Sequence, residues 1–445
     1  MNGADSSADE LPSPESSLSL NSLSVNNLPA THAHNPLVDP SRRRFLKCVS
    51  TGAVGGGLAE RLMVEAIAQY AETSPLAGQN TTFVVLLLPD IPLSSVGTGE
   101  KPQSKVWFHA GHWWAVLPTP TGTKLWRLDG TEWREALHLV DSTGAKPDAR
   151  SIGHEVHILL HEGALSCLVS LAYDAAKQVY VRWAERANNV LIPLAPTSET
   201  ATMDIDASGR MWLASDSDPD PGKPLTKNVE VRWCDPPYAQ WHGPLVLAAG
   251  INRDDICALT AFPNGDVGVL WSNQNARRFG FKLHKNGSPP GKWSTDEVPA
   301  AASALTVKDG MADDHLNTAV ASDGTLFAAV KTGYDTEGYP LIGLLVRRPS
   351  GSWDRLYEVD DAGSRGIVLL DEERDLVTVV YTSYANATIV SKTSDIRRIR
   401  FGGRETLLKA PGINNVTSTK HNYRDDVVIL ATSHSRAKGA LLRRP

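Results

Sequence analysis

Cysteine is scarce. The chain has four in 445 residues. Cys48 sits in an Arg- and Gly-rich N-terminal stretch, which leaves Cys167, Cys234 and Cys257. Three scattered thiols make neither a disulfide framework nor a zinc site, so buried apolar thiols are expected. Long hydrophobic runs are absent too. No stretch approaches the roughly twenty apolar residues that a membrane-spanning helix needs. Nor does one sign of charge dominate: 44 basic residues against 50 acidic ones give −6, which disfavours broad nucleic-acid binding. The dinucleotide fingerprint, the P-loop, the nucleophile elbow and HExxH are all missing. His157 and His161 can share one face of a strand near His154, but no third ligand follows in sequence. No metal and no cofactor is therefore expected.

What the sequence does have is turns and short β-type runs, with 35 Gly, 28 Pro and 12 Trp. Residues 313–359 show the pattern best. Four runs, DDHLNTAV, TLFAAVK, LIGLLVRR and WDRLYEV, are separated by turn residues. Asp323-Gly324 between the first two is a strong hairpin signal, and Ser350-Gly351 marks another turn. A four-stranded antiparallel unit of this size corresponds to one propeller blade. The unit recurs, with first hairpins centred at Gly111, Gly163, Gly209, Gly265, Gly324, Glu372 and Asp425, about fifty residues apart. Later turns lead to Trp133, Trp241, Trp293 and Trp353.

The pattern predicts an all-β, seven-bladed β-propeller over residues 80–445, or six blades if one unit is misread. The seventh unit holds three strands, VTSTKHN, VVILATS and ALLRRP. The run TTFVVLLLP has no hairpin partner nearby. Residues 82–88 are therefore predicted to supply the missing strand and close the ring, which removes exposed sheet edges. Trp107, Trp113 and Trp114 are expected to pack between blades. DASGRMW is expected to be a turn with Trp212 packed against it.

Residues 1–40 are rich in Ser, Asn and Pro and are predicted to be disordered. Ser41-Arg42-Arg43-Arg44-Phe45-Leu46-Lys47, followed by CVSTGAVGGGLA, matches the S-R-R-x-F-L-K pattern and resembles a twin-arginine export signal. The resemblance implies a signal segment at 41–70, with Arg42 and Arg43 read by the twin-arginine (Tat) export machinery. It further implies a periplasmic or secreted protein.

A second resemblance covers roughly residues 313–433. DDHLNTAVASDGTLFAAVKT, LIGLLVRRPSGSW, RGIVLLDEERDLVTVVYTS, IVSKTSDI and NNVTSTKHN look like the closing blades of exported bacterial proteins related to sialidase-type (BNR-repeat) propellers. It implies fold and compartment but no particular reaction. No pattern in the chain maps the sialidase arginine triad, nucleophilic Tyr or acid/base Asp.

In a propeller the innermost strands line a central channel, and loops at its rim carry function on a rigid scaffold. The polar residues there are Asp314, His315 and Asn317 in the fifth unit, Lys331 at the end of its second strand, Arg365 in the sixth, and Asn415 and Lys420 in the seventh. Asp314 and His315 are the candidate acid/base pair. Lys331, Arg365 and Lys420 suit a carboxylate or sulfate, and Asn317 and Asn415 suit sugar hydroxyls. These residues are expected to converge at one mouth. The expected function is to bind or process an acidic carbohydrate, as a glycoside hydrolase of sialidase-like type or a polysaccharide lyase. The alternative is a non-catalytic scaffold for a protein partner. A monomer is expected in either case.

Overall fold

The computed structural model describes residues 82–99, 102–218 and 226–445. The disordered segment expected at 1–40, the signal at 41–70, Arg42, Arg43 and Cys48 all lie outside the described residues. Among the described residues no helix is long and apolar enough to cross a membrane.

The chain forms seven antiparallel sheets taken in sequence order, a seven-bladed β-propeller. The innermost strands are Val106–His109, Lys146–Ile152, Ala201–Ile205, Cys257–Ala261, Leu316–Val320, Ser364–Asp371 and Asn414–Thr417, for blades 1 to 7. Hydrophobic clusters fill the spaces between neighbouring sheets. Each inner strand leaves a free edge toward the channel, and side chains stitch those edges together. Asp148 of blade 2 accepts the N–H of Met203 in blade 3 at 2.9 Å. Asp204 of blade 3 accepts that of Ala261 in blade 4 at 2.9 Å. Asn317 of blade 5 accepts that of Val368 in blade 6 at 3.1 Å. Thr260 and Thr318 join blades 4 and 5 through their hydroxyls at 2.6 Å. These bonds satisfy main-chain groups that no strand partner reaches.

The ring closes as predicted. Val84–Pro92 pairs antiparallel with Arg436–Arg443 and is the fourth strand of blade 7. It runs four residues past the expected end and buries Leu88 and Ile91, while Phe83 just before it is also buried. The Asp323-Gly324 hairpin joins Leu316–Val320 to Leu326–Lys331, with Gly324 at φ 88°, a conformation glycine adopts without strain. Trp107, Trp113 and Trp114 are buried, and two of them tie blades: Trp107 donates to Tyr180 at 3.1 Å and Trp113 to Asp426 at 2.8 Å. The indole of Trp212 donates to Asp206 of its own turn at 2.8 Å. Cys167, Cys234 and Cys257 are free thiols, the last two buried.

Two units differ from the expectation. In blade 2, Gly163 marks the second hairpin, not the first; the first joins Lys146–Ile152 to Glu155–His161. Blade 4 has three regular strands, and its fourth is reduced to the bridges Phe281–Glu297 and His284–Trp293. Three prolines or glycines between Ser288 and Gly291 stop the ladder from extending there.

Between the closing strand and blade 1 runs a strap, described at residues 93–99 and 102–105, that bonds to several blades. Thr98 donates to Asn415 O and bonds the Thr432 hydroxyl at 2.7 Å. Deeper in, the Gln103 amide reaches Ala201 O of blade 3 at 2.9 Å. The Ser104 N–H reaches Asp148 of blade 2 at 2.8 Å, and its hydroxyl donates to Ser418 O of blade 7. Gln103, Ser104 and Lys105 are all buried. Gln103 and Ser104 thus tie blades 2, 3 and 7 together.

Candidate functional site at the ends of the channel

The inner strands begin at one rim, here the entry rim, and end at the opposite, exit rim. Both rims carry polar side chains, and the residues singled out from sequence are divided between them.

At the entry rim, Asp314 and His315 precede Leu316–Val320, and Lys331 ends the partner strand. The sequence reading missed their organiser, Asp313. Its carboxylate accepts from His315 Nδ1 at 2.9 Å and from Lys331 Nζ at 2.9 Å. Asp314 also contacts His315 Nδ1. Burial, then the adjacent Asp314, pushes the Asp313 carboxyl above its ordinary range, while His315 and Lys331 pull the other way. The Ser364 hydroxyl at the start of blade 6 meets His315 Nε2 at 3.4 Å. Next to it, Arg365 sits at φ 55° in a β-bulge and donates to the Tyr384 hydroxyl. Tyr384 donates in turn to Asn414 at 3.3 Å. Asn415, at φ 55°, holds Thr98 of the strap through its carbonyl.

Asp314, His315, Lys331, Arg365 and Asn415 therefore lie along one rim over blades 5, 6 and 7. Asn317 is one step further down the same strand, where it clips Val368. Asp313, Asp314 and His315 each place one oxygen or nitrogen within 4.8 Å of the others, a grouping that can hold a cation. The Lys331 ammonium already lies against Asp313, so that carboxylate has a cation from within the protein.

Lys420 is not on that rim. The inner strand of blade 7 ends at Thr417, and the chain then runs along the exit rim, carrying Lys420 with it. The expected trio of cations is therefore divided, with Lys331 and Arg365 at one end and Lys420 at the other. Lys420 crosses the channel to Asp148 of blade 2 at 2.6 Å and to Met203 O of blade 3 at 2.7 Å.

Around Lys420 the exit mouth opens into a well of about 390 Å³. Its wall draws on five blades: Arg150, Asp204, Thr260, Thr318 and His421 are among the lining residues, with Pro102 of the strap. Arg150 Nε pairs with Asp204 at 2.6 Å. Burial, then the Arg150 cation, lowers the His421 pKa to about 4, so its imidazole is neutral near pH 7 and offers both a donor and an acceptor. Asp206 lines the rim of the same well. The mouth thus offers two cations beside acids, a neutral imidazole and threonine hydroxyls, which is a hydrogen-bonding surface and not a bare cationic patch.

No family model and no curated protein matches the sequence. Among solved structures the chain is similar to an ulvan lyase bound to -[GlcA(1-4)Rha3S]-, at 11% identity, over 80% of this chain and 96% of the other, with a TM-score of 0.52. It is also similar to the polysaccharide lyase Uly1, at 9% identity over 77% and 90% of the two chains, with a TM-score of 0.44. An α-L-arabinanase of Penicillium chrysogenum complexed with arabinobiose aligns at 12% identity over 73% and 100%, with a TM-score of 0.44. At these identities the likeness describes the propeller fold.

Proposed function

We propose that this protein binds a carbohydrate at the exit mouth of the channel, with an acidic sugar seated beside Arg150 and Lys420. The observation that carries the reading is the well itself, where polar groups from five blades converge. A pocket of this size, with a few oriented polar groups on a rigid scaffold, suits one or two sugar rings. Sugar hydroxyls pair with Thr260, Thr318, Asn422 and neutral His421. A uronate or sulfate pairs with the outward N–H groups of Arg150, whose planar fork suits two-point recognition of such anions. The ulvan lyase, whose bound repeat includes a uronic acid, accords with this ligand class. We further propose, from the S-R-R-R-F-L-K stretch, that the protein works outside the cytoplasm, where such polymers are met.

Titration calorimetry against hyaluronan, homogalacturonan and arabinan tests the reading. Binding to one of the acidic polymers, with loss of at least tenfold in Arg150→Gln, is expected. Thr260→Phe narrows the well without removing a charge and should weaken binding too. Melting curves of both variants establish that the fold is intact. Absence of binding to all three polymers, or binding indifferent to both substitutions, overturns it, and the scaffold reading is then preferred.

A further inference from the structure

A second cavity, of about 520 Å³, lies on the same rim between blades 4 and 5. It exists because blade 4 lacks a regular fourth strand. Five of the other blades have a continuous fourth strand, and blade 2 has two short pieces, Val179–Arg182 and Val190–Leu191, but residues 285–300 of blade 4 take an irregular path along blade 5. There Glu297 takes a two-pronged ion pair from Arg347 at 2.7 Å on each side and a hydrogen bond from Trp353 at 2.8 Å. Above this floor the cleft is walled by turns of both blades.

The cleft and the well are neighbours with a common wall, since Phe262 and Pro263 line both. Their chemistry differs. The cleft holds three acids, Asp266, Glu297 and Asp323, and three bases, Lys285, Lys292 and Arg347. Lys285 pairs with Asp266 at 2.8 Å and Arg347 pairs with Glu297, so no sign of charge prevails. Trp293 is partly exposed and packs edge-on against Trp212, which fixes its ring. Ser288 and Ser350 line the same cleft, whereas the Ser294 and Ser322 hydroxyls are held by Thr295 O and Glu372. A fixed aromatic ring beside hydroxyls and balanced ion pairs suits an uncharged sugar ring, which stacks its C–H face and pairs its hydroxyls.

We propose that well and cleft form one groove over Phe262 and Pro263, so that the ligand is a polysaccharide chain with an acidic residue in the well and uncharged residues in the cleft. This rests on the reading of the exit mouth given above. A chain spanning both sites gains affinity by effective concentration, so binding should strengthen with length until the cleft is reached.

The experiment is titration of disaccharide-to-hexasaccharide ladders of hyaluronan, homogalacturonan and arabinan against the wild-type protein, Ser350→Trp, Ser288→Trp and Arg150→Gln. Ser350 is exposed in its turn, so the indole fills the cleft and leaves the fold intact. Expected is a gain of about tenfold or more from disaccharide to hexasaccharide. Ser350→Trp and Ser288→Trp should abolish that gain while leaving disaccharide binding unchanged, and Arg150→Gln should weaken every length. A hexasaccharide bound no more tightly than a disaccharide, or a length effect that survives both tryptophans, overturns the groove while the mouth reading stands. Binding that is lost in the tryptophan variants but indifferent to Arg150→Gln overturns the mouth instead. No binding by any ladder overturns both.

Discussion

Lys331 shows how burial changes the meaning of a cation. By position it is a ligand-binding residue, but its side chain is 9% exposed and its ammonium is held by Asp313. Removing one partner of such a pair leaves a buried charge uncompensated, at a cost of about 3 kcal/mol or more. Lys331→Ala is therefore expected to lower the melting temperature by several degrees in a thermal scan. Arg365→Ala, which removes the hydrogen bond to the Tyr384 hydroxyl, should lower it less. Two histidines set the response to acid. Burial, reinforced by the Arg186 cation, holds His157 at about 3, and His421 lies at about 4, against 6.5 for an ordinary imidazole. The folded protein refuses protons that the unfolded chain accepts, so stability is full above about pH 6.5 and falls as the pH drops toward these values. Asp360 acts lower still. Burial alone would raise it, but Arg404, Tyr381 and Lys392 outweigh burial and hold it at about 2 against 3.8, so its contribution is lost as pH falls through that range. Denaturant titrations between pH 7 and pH 4 should show a declining midpoint, with a shallower slope in His157→Gln. Of the site residues, Asp313 stood in plain view beside Asp314, but only the fold shows that it gathers both His315 and Lys331. Arg150, Asp204 and His421 were hidden because their importance comes from blades far apart in sequence.

At the scale of elements, hairpins with alternating apolar residues and a glycine turn were legible, because local turn chemistry and side-chain period agree there. The inner strand of blade 2 was not. Its sequence, KPDARSI, contains a proline and no apolar alternation. Such a strand is tolerated because one edge faces the channel and needs no partner. Missing it moved the first hairpin of that unit to Gly163 and removed Asp148 and Arg150 from consideration. Lys420 was misplaced for a related reason: the inner strand of blade 7 is only Asn414–Thr417, so a residue three positions later has already turned onto the exit rim. The closing strand gives the sharpest test at this scale. Phe83, Leu88 and Ile91 are buried in and beside it, and Arg444 lies 4.2 Å over the Phe83 ring. Each buried side chain contributes about 1.5–3 kcal/mol, so losing the strand costs an amount comparable with the stability of a whole domain. A protein lacking residues 1–90 should melt well below one lacking residues 1–70, and the shorter deletion should match the full chain. Equal melting temperatures would refute a structural role for the strand.

At the scale of the whole molecule, seven repeating units announced the ring, and a solitary strand at one end with a short unit at the other announced how it shuts. Blade 7 takes three strands from residues 414–443 and one from 84–92. The sheet therefore cannot be completed until residues separated by more than three hundred positions meet, as in Lys438 with Asp90 at 2.6 Å. Non-local closure of this kind is slow, and a ring held open would expose the apolar faces of blades 1 and 7. Moving such a chain across a membrane unfolded would require closure on the far side, whereas a folded ring crosses with its core already buried. On the export reading proposed above, that would be the physical sense of the S-R-R-R-F-L-K stretch at residues 41–47. Arg42→Lys with Arg43→Lys should leave the precursor in the cytoplasm, and the trapped protein should already be folded. Limited proteolysis of the retained fraction is expected to spare the propeller blades. Normal export of the double variant would refute the route. A retained chain cleaved throughout would refute closure before transport.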